Sequence, residues 1–174
     1  MASVVFLRAV NVGGANVCRP AMLAKQLSKF DVVNIGAVGT FVVRRQVAES
    51  VLRRAIAGKL SFQCEIIIVP ARDIVKLGRE AAFGGEPAGP DITRFVTVLA
   101  APLAVLPRFP VNLPSKDAWV FKIIAVQKRF VLGIYRRKTG ATRYLAKIEK
   151  SLRVPATTRS WTTMERILRV LSER

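Results

Sequence analysis

Hydrophobic runs of strand length alternate with segments of helical period along most of this chain. The first run, 3–7, reads as a buried strand leading into Asn11-Val12-Gly13-Gly14-Ala15-Asn16, a glycine and asparagine turn. Pro20 then stands where a helix can begin, since its fixed φ suits the first helical position. Met22, Leu23, Leu27 and Phe30 continue at helical spacing, and 32–43 reads as a strand interrupted by Gly36 and Gly39. Val47, Val51, Leu52, Ala55 and Ile56 mark a second helix. Residues 63–69, with three consecutive isoleucines, form a strand closed by Pro70, and 71–82 a third helix.

The next eight residues, Phe83-Gly84-Gly85-Glu86-Pro87-Ala88-Gly89-Pro90, hold three glycines and two prolines, which marks a break. The expected division is an N-terminal α+β subdomain, 1–89, and a basic C-terminal α+β subdomain, 90–174. Beyond the break, 94–100 reads as a strand, while Pro102, Pro107, Pro110 and Pro114 predict a broken helix or long loop. Residues 119–126 and 129–135 read as a hairpin turning at Gln127-Lys128. Tyr144, Leu145, Ile148 and Leu152 predict another helix. Met164, Ile167, Leu168 and Leu171 predict the last, with Thr162 and Glu165 spaced as a capping box and Trp161 just before it as a hydrophobic staple. The fold class expected is α+β, two small sandwich-like layers with helices over one sheet face each.

Composition narrows the chemistry. The 174 residues contain no histidine, which removes Ser-His-Asp and Cys-His pairs and every histidine-bearing zinc site. The only cysteines, Cys18 and Cys64, make neither a metal quartet nor a disulfide framework, so no metal and no cofactor are expected and both thiols are read as free. Cys18 beside Arg19 suggests a lowered thiol pKa. No run approaches the roughly 20 apolar residues of a membrane span, and a cytoplasmic protein is expected.

Charge changes the picture most. Lysine and arginine total 29 against 11 acids, net +18. Residues 1–107 hold 13 basic and 7 acidic side chains, whereas 108–174 hold 16 and 4, so the excess is C-terminal. Between Lys128 and Arg159 Glu149 is the lone acid. Arg143, Lys147 and Lys150 fall on one helix face, and Tyr144, Ile148 and Leu152 on another. With Lys128, Arg129, Arg136, Arg137 and Lys138 they make a candidate surface for nucleic acid or another polyanion, because neutralising phosphates releases counterions whatever the sequence. An acidic protein, an anionic membrane surface or a plain solvated basic face would show the same count.

Two further constellations stand out. Arg8, Asn11, Gly13, Gly14, Asn16 and Arg19 lie between a strand and a helix, where backbone N–H groups, a helix N-terminus and two arginines can hold an anion; a tight turn needing positive φ explains the glycines equally well. Arg159, Ser160, Trp161, Thr162 and Thr163 read either as the cap of the last helix or as hydroxyls and a guanidinium around an indole that bind something polar and planar.

The two end segments resemble a known family. Leu7-Arg8-Ala9-Val10-Asn11-Val12-Gly13-Gly14 is similar to the LRGINVGG opening, and Val154-Pro155-Ala156-Thr157-Thr158-Arg159-Ser160-Trp161-Thr162-Thr163 to the closing VPATTRNWNT, of the bacterial family of unknown function DUF sixteen-ninety-seven. Ile148-Glu149-Lys150-Ser151-Leu152 resembles its LEKxLG stretch. Order and spacing agree across nearly the whole chain. The resemblance implies a two-part α+β fold with a ferredoxin-like portion and no established reaction. Ala9 stands where the family usually has glycine, Val38-Gly39-Thr40 where it tends to Ser-Gly-Asn, and Ser160 and Thr162 replace two asparagines. The expectation is a protein that binds an anionic partner, nucleic acid first, without catalysis. The alternative is an enzyme or binding protein for a phosphorylated or carboxylated small molecule at the Gly13-Gly14 loop.

Overall fold

The computed structural model describes residues 2–11, 14, 16–80, 83–105, 108, 110–138 and 140–173. The chain divides into two compact units, Met1–Arg79 with Glu165–Arg174, and Glu80–Met164. The break between them falls ten residues before the sequence division at Gly89, and the last ten residues return to the first unit.

In the first unit, β1 (Ser3–Leu7) leads to α1 (Pro20–Gln26), which starts on Pro20 as its proline predicts. A 3-10 turn (Ser28–Phe30) precedes β2 (Val32–Asn34) and β3 (Thr40–Val43). The run expected as one interrupted strand is thus a hairpin. Gly36 and Gly39 explain it, because their φ values of 93° and 70° turn the chain back, and a Cβ at Gly39 would stand 2.8 Å from that of Leu7. Then come α2 (Glu49–Ala57), β4 (Ile66–Pro70) and α3 (Ala71–Arg79). The four strands form an antiparallel sheet in the order β2-β3-β1-β4. Val5, Leu7, Phe41, Val43, Ile66 and Ile68 point from it into a core closed by Leu23, Leu27, Leu52 and Ile56 of the helical segments.

The second unit holds β5 (Ile92–Leu99), β6 (Val111–Leu113), β7 (Phe121–Gln127), β8 (Phe130–Arg136), α4 (Thr142–Ser151) and β9 (Ala156–Ser160). Its five strands are antiparallel in the order β6-β7-β8-β5-β9. β7 and β8 are the expected hairpin, shifted so that Lys128-Arg129 are the turn and Lys128 takes a φ of 53°. Two strands were not expected. β6 lies in the proline-rich stretch read as a broken helix or loop; Pro110 and Pro114 bracket it, and it is an edge, where missing N–H groups are tolerated. β9 is the other edge, written almost wholly in polar residues. Phe95, Leu99, Phe121, Ile123, Val131 and Ala156 make the core on the face covered by Ile148 of α4.

The last helix, α5 (Trp161–Ser172), follows β9 with no intervening loop. Its residues through Met164 belong to the second unit and the remainder to the first. The capping box read from Thr162 and Glu165 is corrected here. The helix has already begun at Trp161, so the cap is Ser160, whose Oγ accepts from the Thr163 backbone N–H at 3.3 Å. Trp161 is therefore the first helical residue rather than a staple preceding it. It meets Phe83 edge to face at 5.0 Å.

Candidate functional site

In the first unit the loop after β1 is built around one side chain. Asn11 Nδ2 donates to Cys18 O (2.9 Å) and Ala37 O (2.7 Å), while its Oδ1 accepts from Cys18 N (2.8 Å). Asn16 Nδ2 reaches back to Ala9 O at 3.2 Å. The Asn11 amide is thus spent on holding the loop, and the Asn16 amide adds one bond to it. Ala9, Asn11, Gly14 and Asn16 all adopt left-handed conformations, which is the tight-turn reading of this segment. Arg8 and Arg19 are exposed, and Gly13 lies outside the described residues. The lowered thiol expected at Cys18 is overturned: burial pushes the pKa up, because the half-buried sulfur packs on the core. Cys64 is raised too, by burial first and then by the nearby Cys18 and Glu65.

The basic residues of the second unit sort into two groups. Arg129 donates from Nε to Leu99 O (2.7 Å) and from Nη2 to Ala100 O (2.6 Å), binding the end of β5. Arg136 donates to Trp119 O (3.2 Å), stacks over that indole at 4.3 Å and pairs with Asp91 at 3.7 Å. Arg159 is buried, donating from Nη1 to Thr157 Oγ1 (2.7 Å) and Thr158 O (2.9 Å). Desolvation lowers its pKa to about 10, against the opposing pull of Glu149. These three guanidiniums serve the fold.

The second group faces solvent. Arg137 and Lys138 follow the end of β8, and Arg143, Lys147 and Lys150 lie along the exposed face of α4. Lys128 is exposed as well but sits at the other end of β8, roughly 20 Å away at the usual rise per strand residue. Tyr144 lies between two of the cations, 5.6 Å from Arg143 and 6.0 Å from Lys147, and rests on Phe121 beneath. Glu149 is turned inward: its Oε1 accepts from Thr158 Oγ1 (3.0 Å), which meets Thr97 Oγ1 at 2.7 Å. The stretch's one carboxylate therefore offsets buried charge, and the outward cations keep their field.

A cavity of about 390 Å³ opens in the same unit, lined by Ile92, Thr93, Arg94 and Arg137 together with Ser160, Trp161 and Thr162. It joins one residue of the basic hairpin end to three of the C-terminal motif. Arg159 is not among them, since its side chain is buried at the β9 edge. Arg94, which the sequence reading passed over, sits there through its place near the start of β5 and stacks over Phe83 at 5.3 Å. Its signal in sequence was only an isolated arginine in a strand.

One solved structure matches the whole fold. It is a conserved bacterial protein, SP0830 from Streptococcus pneumoniae, with a TM-score of 0.58 and 16% identity, covering 98% of each chain. At that identity the likeness shows the fold alone. No family model and no curated protein matches this chain. No helix among the described residues is long and apolar enough to cross a membrane, and none of their acidic or cysteine side chains cluster as a metal site.

Proposed function

We propose that this protein binds nucleic acid through the basic face of its second unit, as a binding protein rather than an enzyme. The observation that carries this reading is the outward array of Arg137, Lys138, Arg143, Lys147 and Lys150, with Glu149 turned inward. Phosphates spaced along a backbone replace their condensed counterions by such cations, and the released ions drive association. Tyr144, flanked by two of the cations, adds an aromatic edge of the kind that meets unstacked bases. The lack of histidine agrees with binding rather than acid-base catalysis at neutral pH.

Titration with a generic duplex tests the reading. Binding is expected at about 50 mM salt, where screening is still weak, and should fall steeply as salt is raised; no binding there refutes it.

We also infer membership of the DUF sixteen-ninety-seven family. The motifs at both ends support it, and so does Ala9, whose φ of 54° suits the glycine that the family usually has there. The β-α-β-β-α-β order of the first unit, with sheet order β2-β3-β1-β4, supports the ferredoxin-like portion which that family implies.

A further inference from the structure

The cavity at the start of α5 has a chemistry that the open basic face lacks. Its roughly 390 Å³ falls at the lower end of the range of about 300–1,000 Å³ for small-molecule sites, so it is too large for a bare phosphate and suited to a compact ligand. Arg94 and Arg137 both line it, and among the described residues neither makes an ion pair. Asp91, close by in sequence, is engaged by Arg136 instead. Thr93 Oγ1 accepts from Arg137 Nε at 3.0 Å, which fixes that side of the guanidinium and leaves its terminal nitrogens for another acceptor. Two guanidiniums on one small cavity favour a dianion, and their planar forks match phosphate oxygens.

The other wall agrees. Ser160, Trp161 and Thr162 are the cap and first two residues of a helix 12 residues long, so the positive end of its dipole adds to the two arginines. Ser160 Oγ accepts from the Thr163 backbone N–H in the helix cap, and the Thr162 hydroxyl, on an exposed residue, is a side-chain donor on this wall. Trp161 is half-buried, meets Phe83 edge to face and is among the residues that line the cavity. An indole beside an anion seat suits a planar heterocycle attached to the phosphate.

We propose that this cavity is a seat for a nucleoside 5′-phosphate, with the phosphate between Arg94 and Arg137 and the base against Trp161. The same group occurs on a free mononucleotide and at the 5′ end of a strand. For the free mononucleotide the seat stands apart from the nucleic-acid reading; for the strand end it refines that reading.

Calorimetric titration of the full chain with AMP, adenosine and inorganic phosphate tests it. AMP should bind more tightly than phosphate, and adenosine should bind at least tenfold more weakly than AMP, the loss expected for charge-assisted hydrogen bonds. Arg94→Gln and Arg137→Gln should each weaken AMP at least tenfold, with melting curves confirming that each variant folds. Arg137 is exposed, so its variant serves should loss of the Arg94 stack on Phe83 disturb folding. Lys25→Gln with Arg54→Gln should leave AMP affinity unchanged, since both are exposed in the first unit and neither lines the cavity. Trp161→Leu should remove the advantage of AMP over phosphate. AMP binding no tighter than phosphate, or full AMP affinity in a folded Arg137→Gln chain, overturns the proposal.

Short single strands with and without a 5′-phosphate separate the sources. If only the phosphorylated strand gains affinity and competes with AMP, the strand end is the ligand; if neither competes, the free nucleotide is. Salt-dependent duplex binding without any AMP binding refutes the seat and leaves the basic-face reading standing, and the reverse result refutes that reading and leaves the seat.

Discussion

Neutralising Arg143, Lys147 and Lys150 together tests whether the α4 face is the nucleic-acid surface. Five exposed cations, these three with Arg137 and Lys138, define the face. If each meets one phosphate, the logarithm of affinity falls with the logarithm of salt at a slope of about −4.5, or roughly 500-fold between 50 and 200 mM. With two cations left the slope is about −1.8 and the fall only roughly 12-fold. The control must remove equal charge without touching the fold. Arg53 is unsuitable, because it donates to Ile66 O and pairs with Glu49 at 2.7 Å. Lys25, Arg54 and Lys59 are exposed in the first unit and serve instead. Fluorescence anisotropy of a labelled duplex across four salt concentrations reads the slope for each chain. Equal slopes in the two triple variants would mean that charge acts diffusely, and the α4 face would lose its assigned role.

Other perturbations address the frame that holds these surfaces. Glu149→Gln should destabilise the chain by about 1–3 kcal/mol in urea unfolding, because it weakens the charge that offsets buried Arg159 and the bond from Thr158. Adding Arg159→Met should cost less than the sum of the two single losses; strict additivity would show the two groups to be uncoupled. Gly39→Ala combines a left-handed backbone with a Cβ only 2.8 Å from that of Leu7, and a loss of about 2–4 kcal/mol is expected, with less than about 0.5 arguing against the hairpin geometry. Ala9→Gly should gain about 0.5–1 kcal/mol by relieving the φ of 54° on an exposed residue, and a loss in the same unfolding assay would count against it.

The parts of the fold that show in the sequence are those where side-chain pattern and burial agree. β1, β4 and the β7–β8 hairpin announce themselves through apolar runs, and α1 through Pro20 and the spacing of Leu23 with Leu27 just past its end. β9 does not, because Ala-Thr-Thr-Arg-Ser has no apolar alternation. It forms because Thr158 stands opposite Thr97 and shares a hydroxyl contact with it, and because the same hydroxyl donates to Glu149 of α4. Such tertiary satisfaction of polar groups is invisible to hydropathy. The displaced helix cap has the same origin: once β9 runs directly into α5, Ser160 rather than Thr162 is the boundary residue. The site was legible in the same uneven way. Helical spacing alone placed Arg143, Lys147 and Lys150 together, whereas the meeting of Arg94 and Arg137 with the C-terminal motif depends on strand pairing far apart in sequence.

A count of charges along a chain measures neither how many reach a partner nor with what force. Arg129, Arg136 and Arg159 belong to the basic stretch by sequence, yet each spends its guanidinium on carbonyls, an indole or a hydroxyl of its own unit. Their internal use lowers the charge free for a ligand, but three acids of the unit are engaged as well. Glu149 accepts from Thr158, Asp91 pairs with Arg136, and Glu86 is held by Lys122 at 2.7 Å with both side chains largely buried. Exposed pairs between opposite charges contribute little to stability and would quench the outward field, so turning Glu149 and Glu86 toward interior partners leaves the α4 lysines and Arg143 without a paired carboxylate among the described residues. The local segregation of charge, more than the net +18, is what makes an anionic partner the reading that this structure favours.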